Sequence, residues 1–410
     1  MAIKQYLSVN FARALAVLLL LSLVMAIAGC SDDAGGDKTT AATAKYEQII
    51  ADADKAEADL DYDKAIEIYE QALAEISDAD KEYEAIYLNN LGLIYYQLAQ
   101  YDKAEPLYKQ ALAIDEKYYG KDNPKLFLSI SNIGRLYHQT NRIDKAEAMY
   151  ERALALAEQA ARINSSQVAE MKNGLAEIYR ITNRLEQAEP LYKQALAIYQ
   201  EHRGKDHPYV ATILSNLAML YGQMGLYDQA EPLHKRAVAI NRKAFGDNHP
   251  KLAKSMNNLA YLYEQAGRLD QAEELYKQAL AIYEATIGKE HYYMAVTLNN
   301  LAGIYDATDR FDRGEPLFKR AIAINEQILG PEHEELARAC FNLGLAYQNH
   351  DRLTDAEKMM SRSLTILTKY QTRNKRQHPE IEYVKSSYTS LLKQTGLSET
   401  EINNKLADFY

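Results

Sequence analysis

From residue 45 onward the polar and apolar positions of the chain follow two alternating templates. The first is seen in "LNNLGLIYYQ" (88–97). It returns as "SNIGRLY" (131–137), "NGLAEIY" (173–179), "SNLAMLY" (215–221), "NNLAYLY" (257–263), "NNLAGIY" (299–305) and "FNLGLAY" (341–347). Its central apolar residues are Leu91, Ile133, Leu175, Leu217, Leu259, Leu301 and Leu343, each 42 residues from the last. The second template, "YDKAEPLYKQALAI" (101–114), keeps an alanine at Ala104, Ala146, Ala188, Ala230, Ala272 and Ala356, with Gly314 as the one departure. Both place apolar residues at i, i+3, i+4 and i+7, the period of an amphipathic helix. A constant step over so many copies excludes chance and predicts a repeat architecture.

The boundaries follow from local chemistry. Asp102 with Glu105, Asp144 with Glu147, Asp228 with Glu231, Asp270 with Glu273, Asp312 with Glu315 and Thr354 with Glu357 have the spacing of a capping box at the start of each second helix. Prolines 106, 190, 232 and 316 are then expected in the first turn, where a missing amide does little harm. Links such as "GKDNP" (120–124), "GKDHP" (204–208) and "GDNHP" (246–250) end one helix and launch the next. Each unit is therefore helix, tight turn, helix, link. Two such helices cannot bury their apolar faces alone, but stacked neighbours can. Eight units are expected, the first divergent (45–76), within an array over 45–378. Residues 379–410 then supply a half-unit, "HPEIEYVKSSYTSLLKQTG" (378–396), and a polar capping helix, "SETEINNKLADFY".

Leu88, Leu91, Gly92, Tyr95, Ala104, Tyr108 and Ala111 resemble the tetratricopeptide pattern in type and spacing, with Leu88 where that motif often has tryptophan. The 42-residue period and the wording "LNNLA…LY…AEPLYKQALAI" look like the kinesin-light-chain type of this repeat. The resemblance covers roughly residues 45–396. It implies an all-α, right-handed superhelical solenoid of antiparallel helix pairs, about eight repeats plus C-terminal cap helices, working as an interaction array.

Asparagine is a poor interior helix former, yet it fills two rows of the first template. One residue before the central position stand Asn90, Asn132, Asn216, Asn258, Asn300 and Asn342, with Gly174 as the exception; two before it stand Asn89, Asn257 and Asn299, among others. These lie about 100° and 200° around the helix from the core residue. In tetratricopeptide arrays that stripe lines the inner wall of the groove, where asparagines bond the backbone of an extended peptide. An equally open reading is that the rows tie adjacent first helices together, amide to backbone. The same wall carries Arg135, His138, Arg180, Lys254, Tyr261 and Arg338 beside Glu170, Glu177 and Glu264, so its charge is mixed.

Composition changes the picture only at the margins. A net charge of −10 with no dense basic face argues against nucleic acid. The 32 tyrosines trace largely to repeat columns, Tyr95 through Tyr347 in first helices and Tyr108, Tyr150, Tyr192 and Tyr276 in second helices, and are read as packing residues. Histidines 207, 249, 291 and 333 also recur at 42. Neighbouring units are about 8–10 Å or more apart, too far for shared ligation at about 2 Å, so a capping role in the link is expected and no metal. "HEELA" (333–337) lacks the second histidine of a zinc-protease helix, and no nucleophile elbow or phosphate loop occurs. The expectation is a non-enzyme with no cofactor. Cys340 sits inside a repeat and is read as a small buried hydrophobe. Lys369, Arg373, Lys375 and Arg376 read as a solvated loop.

The first residues differ in kind. A short basic stretch, "MAIKQYLSVNFAR", precedes the apolar run "ALAVLLLLSLVMAIAG" and then Cys30. Residues 1–29 have the form of a signal peptide. "IAGC" (27–30) resembles the lipobox of bacterial lipoproteins, which implies acylation of Cys30, a new N-terminus there and attachment to a membrane. Residues 30–44 are expected as a flexible tether, and Ser31 resembles the residue of lipoproteins sent to an outer rather than an inner membrane. Together these readings describe a lipid-anchored, periplasm-facing scaffold of the bacterial cell envelope that holds an extended segment of a partner protein. The alternative is a structural lipoprotein acting by self-association, or docking to an envelope complex through its ends and convex face.

Overall fold

The computed structural model describes residues 39–59, 61–77, 80–159, 165–374, 378–407 and 409. The signal peptide, Cys30 and residues 31–38 of the expected tether lie outside the described residues, as do Lys375 and Arg376. The chain divides into two compact units between Asn216 and Leu217.

The first unit contains α1 (Thr39–Ala58), α2 (Tyr62–Glu75), α3 (Lys81–Gln97), α4 (Tyr101–Tyr119), a short 3-10 turn at Pro124–Leu126, α5 (Phe127–Gln139), α6 (Ile143–Glu158), α7 (Ser165–Ile181), α8 (Leu185–Arg203) and the first half of α9 (Pro208–Gln223). The second continues α9 and adds α10 (Tyr227–Phe245), α11 (Pro250–Gln265), α12 (Leu269–Thr286), α13 (Tyr292–Ala307), α14 (Phe311–Leu329), α15 (Glu334–Asn349), α16 (Leu353–Asn374), α17 (Ile381–Gln394) and α18 (Glu399–Ala407). No strand occurs among the described residues. The fold is an all-α solenoid of helix pairs. Within each unit, first helices such as α3, α5, α11 and α13 pack on the second helix that follows them and also touch the next first helix. Ala104, Ala146, Ala188, Ala230, Ala272 and Ala356 are completely buried, so paired helices approach closely. A Cβ at Gly314 would stand 2.9 Å from the carbonyl oxygen of Ala302, which accounts for the one departure from alanine.

The turn inside each pair departs from the capping-box expectation. Ala99, Asn141, Asn183, Gly225, Gly267, Asp309 and Asp351, again 42 apart, all have φ between +55° and +74°. The next amide reaches back to the tyrosine carbonyl of the first helix, as in Gln100 N–H to Tyr95 at 2.8 Å and Arg268 N–H to Tyr263 at 2.8 Å. This is a Schellman closure. The residue that completes it is also the cap of the second helix, which therefore starts at Tyr101 rather than after Asp102. Asp102, Asp144, Asp228, Asp270 and Asp312 consequently lie inside the first turn and cap nothing. They still complement the helix dipole there. Pro106, Pro190, Pro232 and Pro316 fall two residues deeper than expected, at the sixth helical position. A reciprocal capping box does exist elsewhere. The Ser398 amide donates to Glu401 at 2.8 Å, and the Glu401 amide donates to the Ser398 hydroxyl at 3.4 Å, at the start of α18.

The links behave as read. Gly120, Gly204, Gly246 and Gly330 end their helices at φ +80° to +87° with extended ψ, a region essentially confined to glycine. Nδ1 of His207, His249, His291, His333 and His378 accepts the amide two residues on, at 3.1–3.2 Å, and Asn123 does the same in the first link at 2.9 Å. These histidines cap helices. At the N-terminal end, α1 begins at Thr39, so Thr39 to Ala44 are helical where a flexible tether was expected. Tyr46, farther along this helix, packs its ring at a tilt against Tyr83 with ring centroids 4.5 Å apart. That contact ties α1 to the array.

Candidate functional site

Three residue columns hold neighbouring repeats together. The guanidinium of Arg142, Arg184, Arg268, Arg310 or Arg352 lies 4.1–4.8 Å over the ring of Tyr137, Tyr179, Tyr263, Tyr305 or Tyr347 of the same repeat. The same arginine donates to a glutamate of the preceding second helix, as in Arg184 to Glu147 at 2.5 and 2.6 Å and Arg268 to Glu231 at 2.6 Å. These glutamates were read as capping partners; they are inter-repeat ion-pair partners instead. Hydrogen bonds from Arg268 and Lys235 hold the Glu231 carboxyl down at about 2. The arginine column was visible in the sequence as a 42-residue recurrence, interrupted by Leu226.

The asparagine rows run beside this seam, and in the first unit they are consumed by the fold. Asn89 Nδ2 donates to Ser129 at 2.7 Å, and Ser129 donates in turn to Asp115 at 2.6 Å. Asn132 Nδ2 donates to Asn89 at 3.3 Å, while Asn132 Oδ1 accepts from Arg135 at 2.6 Å. Asn90 donates to the Tyr69 hydroxyl at 3.0 Å, and Asn216 to Asn173 at 3.0 Å. Adjacent first helices are thus tied, but amide to side chain rather than amide to backbone. Gly174 breaks the row because a Cβ there would stand 2.8 Å from the Tyr150 ring. The charges of this wall are also engaged: Arg180 donates to Glu177 at 2.6 and 2.9 Å, Tyr192 to Glu177 at 2.6 Å and Tyr199 to Glu170 at 2.9 Å. Burial pushes the Glu177 carboxyl up, but the Arg180 bonds outweigh it and leave it below the usual range.

In the second unit the same rows are only partly used. Asn257 accepts from Thr297 at 3.0 Å, and Asn342 donates to Asn299 at 3.3 Å. Asn300 bonds the Tyr276 hydroxyl, which donates to Glu264 at 2.8 Å. Asn258 makes no side-chain hydrogen bond among the described residues. One turn before it, Lys254 is exposed and forms no ion pair among the described residues; its ammonium lies 5.7 Å from the Tyr293 ring centre. One turn after it, Tyr261 is 48% exposed. Arg338 stands apart from this group, donating to Glu335 at 2.9 Å and Glu380 at 3.0 Å. An unspent amide, an exposed ammonium without an ion pair among the described residues and a half-exposed phenol ring thus share one face of α11, where an amide can both donate and accept.

Two buried ionisable groups mark the units differently. Glu57 in the first is buried with Oε2 unpartnered, and desolvation with the Asp54 charge pushes it up to about 8. His234 in the second occupies the column of Tyr192 and Tyr276; its Nδ1 has no hydrogen-bond partner among the described residues, and burial pushes it down to about 4. Cys340 is buried and its thiol is raised to about 11 by desolvation, as a packing residue would be. Among the described residues no group of His, Cys, Asp and Glu is placed to hold a metal ion.

Stacked helix pairs, alanine-mediated packing and a side-chain-lined face of first helices define a helical-repeat interaction scaffold. The tetratricopeptide repeat model matches residues 56–117, 83–159, 167–242, 209–285 and 293–369, and the chain belongs to that family. No curated protein matches it. Among solved structures it is similar to the nearly identical TPR-like repeats of a Podosopora anserina putative kinesin light chain, at 26% identity and TM-score 0.43, over 52% of this chain and 100% of that one. It is also similar to the apo quorum sensor NprR from B. thuringiensis, at 16% identity and TM-score 0.63, over 91% of this chain and 99% of that one. A Rap protein complexed with competence and sporulation factor is similar at 13% identity and TM-score 0.57, over 88% of this chain and 97% of that one. The last two likenesses concern the fold alone.

Proposed function

We propose that the chain is a lipid-anchored scaffold of the bacterial cell envelope, acylated at Cys30, that holds an extended segment of a partner protein on the first-helix face of its second unit. The observation that carries this reading is Asn258. It belongs to a row of asparagines of which the others in the unit are bonded within the protein, yet its own half-buried amide is unspent among the described residues and lies between the exposed Lys254 and Tyr261 on one stripe of α11. Preorganised amides bond a peptide backbone without reordering the receptor, which lowers the cost of association. The anchor rests on the sequence of residues 1–30, and Ser31 favours the outer membrane. Affinity capture from solubilised membranes tests both parts. The full chain is expected to retain an envelope protein, Asn258→Ala with Asn300→Ala to lose it while the chain stays folded, at a cost of about 1 kcal/mol for the Asn300 bond to Tyr276, and Cys30→Ala to release the chain from membranes. Retention of the partner by the double variant would remove this face from consideration. Recovery of a second copy of the chain instead would favour the self-assembling alternative.

A further inference from the structure

Gly303 is a helix-interior glycine that packing does not explain. An added Cβ at Gly92, Gly134, Gly174, Gly314 or Gly344 would meet another atom at 2.7–2.9 Å, so those positions have no room for a side chain. At Gly303 nothing lies within 4 Å. Alanine there would favour the helix, since glycine in a helix interior is destabilising relative to alanine. The register makes the vacancy more telling. Gly303 on α13 occupies the position held by Tyr261 on α11 and by Leu345 on α15, each 42 residues away. A row of first-helix side chains therefore has one member missing, with a half-exposed phenol ring on one side and a partly buried leucine on the other.

The charge around this gap is already settled. Asp306, one turn on, accepts from Asn349 at 2.9 Å and pairs with His350 Nε2 at 2.9 Å, and Glu264 accepts from Tyr276 at 2.8 Å. On this face of α11 neither Lys251, half-buried with its ammonium 4.8 Å from the Phe245 ring centre, nor the exposed Lys254 forms an ion pair among the described residues; Lys254 lies seven residues before Tyr261 and so about 10 Å along the helix. The recess on α13 lies one packed helix to the side, about 8–10 Å across, so it is about 14 Å from Lys254, and an extended chain covers that distance in about four residues.

Resting on the binding face proposed above, we infer that the recess at Gly303 is a side-chain pocket: it receives a leucine-sized apolar side chain of the bound segment, and Lys254 pairs with an acidic residue about four positions away from it in that segment. Tyr261 and Leu345 hold the same register on the flanking first helices α11 and α15 and border the recess, and Asn300 stands one turn before Gly303.

The test is selection of phage-displayed random dodecapeptides on the full chain, followed by titration of the enriched peptides. The enriched set is expected to share an apolar residue with Asp or Glu about four positions away. Gly303→Leu, which fills open space, is expected to keep the melting temperature and weaken binding about tenfold or more. Lys254→Glu is expected to reverse the preference for the acidic residue, which gives a second reading should Gly303→Leu misfold. If Asn258→Ala abolishes binding while Gly303→Leu and Lys254→Glu leave it unchanged, the pocket is wrong and the face stands. If none of the three matters, or no peptide is enriched, both are wrong.

Discussion

The first-helix faces of the two units are built on one repeat and put it to different use. Between α3 and α9 the asparagines, arginines and glutamates are spent on each other: Asn132 lies between Asn89 and Arg135, Arg180 is clamped on Glu177, and Gly174 gives its space to Tyr150. Between α11 and α15 the same columns hold an unspent Asn258, an exposed Lys254 and an open Gly303. Stacking therefore does not require the whole column to be bonded. The arginine–tyrosine–glutamate seam and the buried alanines hold repeats together in both units. Residues on the first-helix face are free to differ once that seam exists. A position that gives up stability without a packing reason is where function is best sought.

The contrast can be broken most forcefully at the two glycines. Gly174→Asn, which restores the row, drives a Cβ into the Tyr150 ring and is expected to cost about 1–3 kcal/mol in urea unfolding. The same substitution at Gly303 meets open space and is expected to change stability by less than about 0.5 kcal/mol. Equal costs would mean that the two positions are not different in packing.

Acidity separates the units next, and in opposite directions. Glu57 is raised from 4.5 to about 8, so its folded state keeps a proton that the unfolded chain releases; its contribution is full below pH 4.5 and is lost as pH rises toward 8. His234 is lowered from 6.5 to about 4, so its contribution is full above pH 6.5 and is lost as pH falls toward 4. Glu57→Gln is expected to stabilise more at pH 8 than at pH 4.5, and His234→Phe more at pH 4.5 than at pH 7, each followed by the urea midpoint. A pH-independent gain from either variant would show that its group is not held in the shifted state.

The smallest effect concerns the asparagines themselves. Asn132→Ala removes bonds to Asn89 and Arg135 and is expected to cost about 1 kcal/mol, whereas Asn258→Ala is expected to fall within about 0.5 kcal/mol.

The repeat, its helices and its links could be read from the chain because they depend on apolar spacing and on glycine, both of which are local. The turn inside each pair could not. Its left-handed position is filled by Ala99, Asn141, Gly225 and Asp309 in different repeats, a set unified by conformation and not by chemistry. That turn moved every second-helix start forward, and with it the roles of Asp102 and Glu105. The asparagine rows were visible, but their partners depend on the distance between neighbouring first helices, which no single repeat encodes. Gly174 and Gly303 show the limit most plainly. Both are glycines on the first-helix template, and only the Tyr150 ring beside one of them tells them apart.

The central claim is that the second unit's first-helix face is the one left open for a partner. A photoreactive residue placed in turn at positions 132 and 258 of the full chain, in intact membranes, addresses it directly. Cross-linking to another protein from position 258 and none from 132 is the predicted result; equal capture from both positions, or capture from 132 alone, would contradict it.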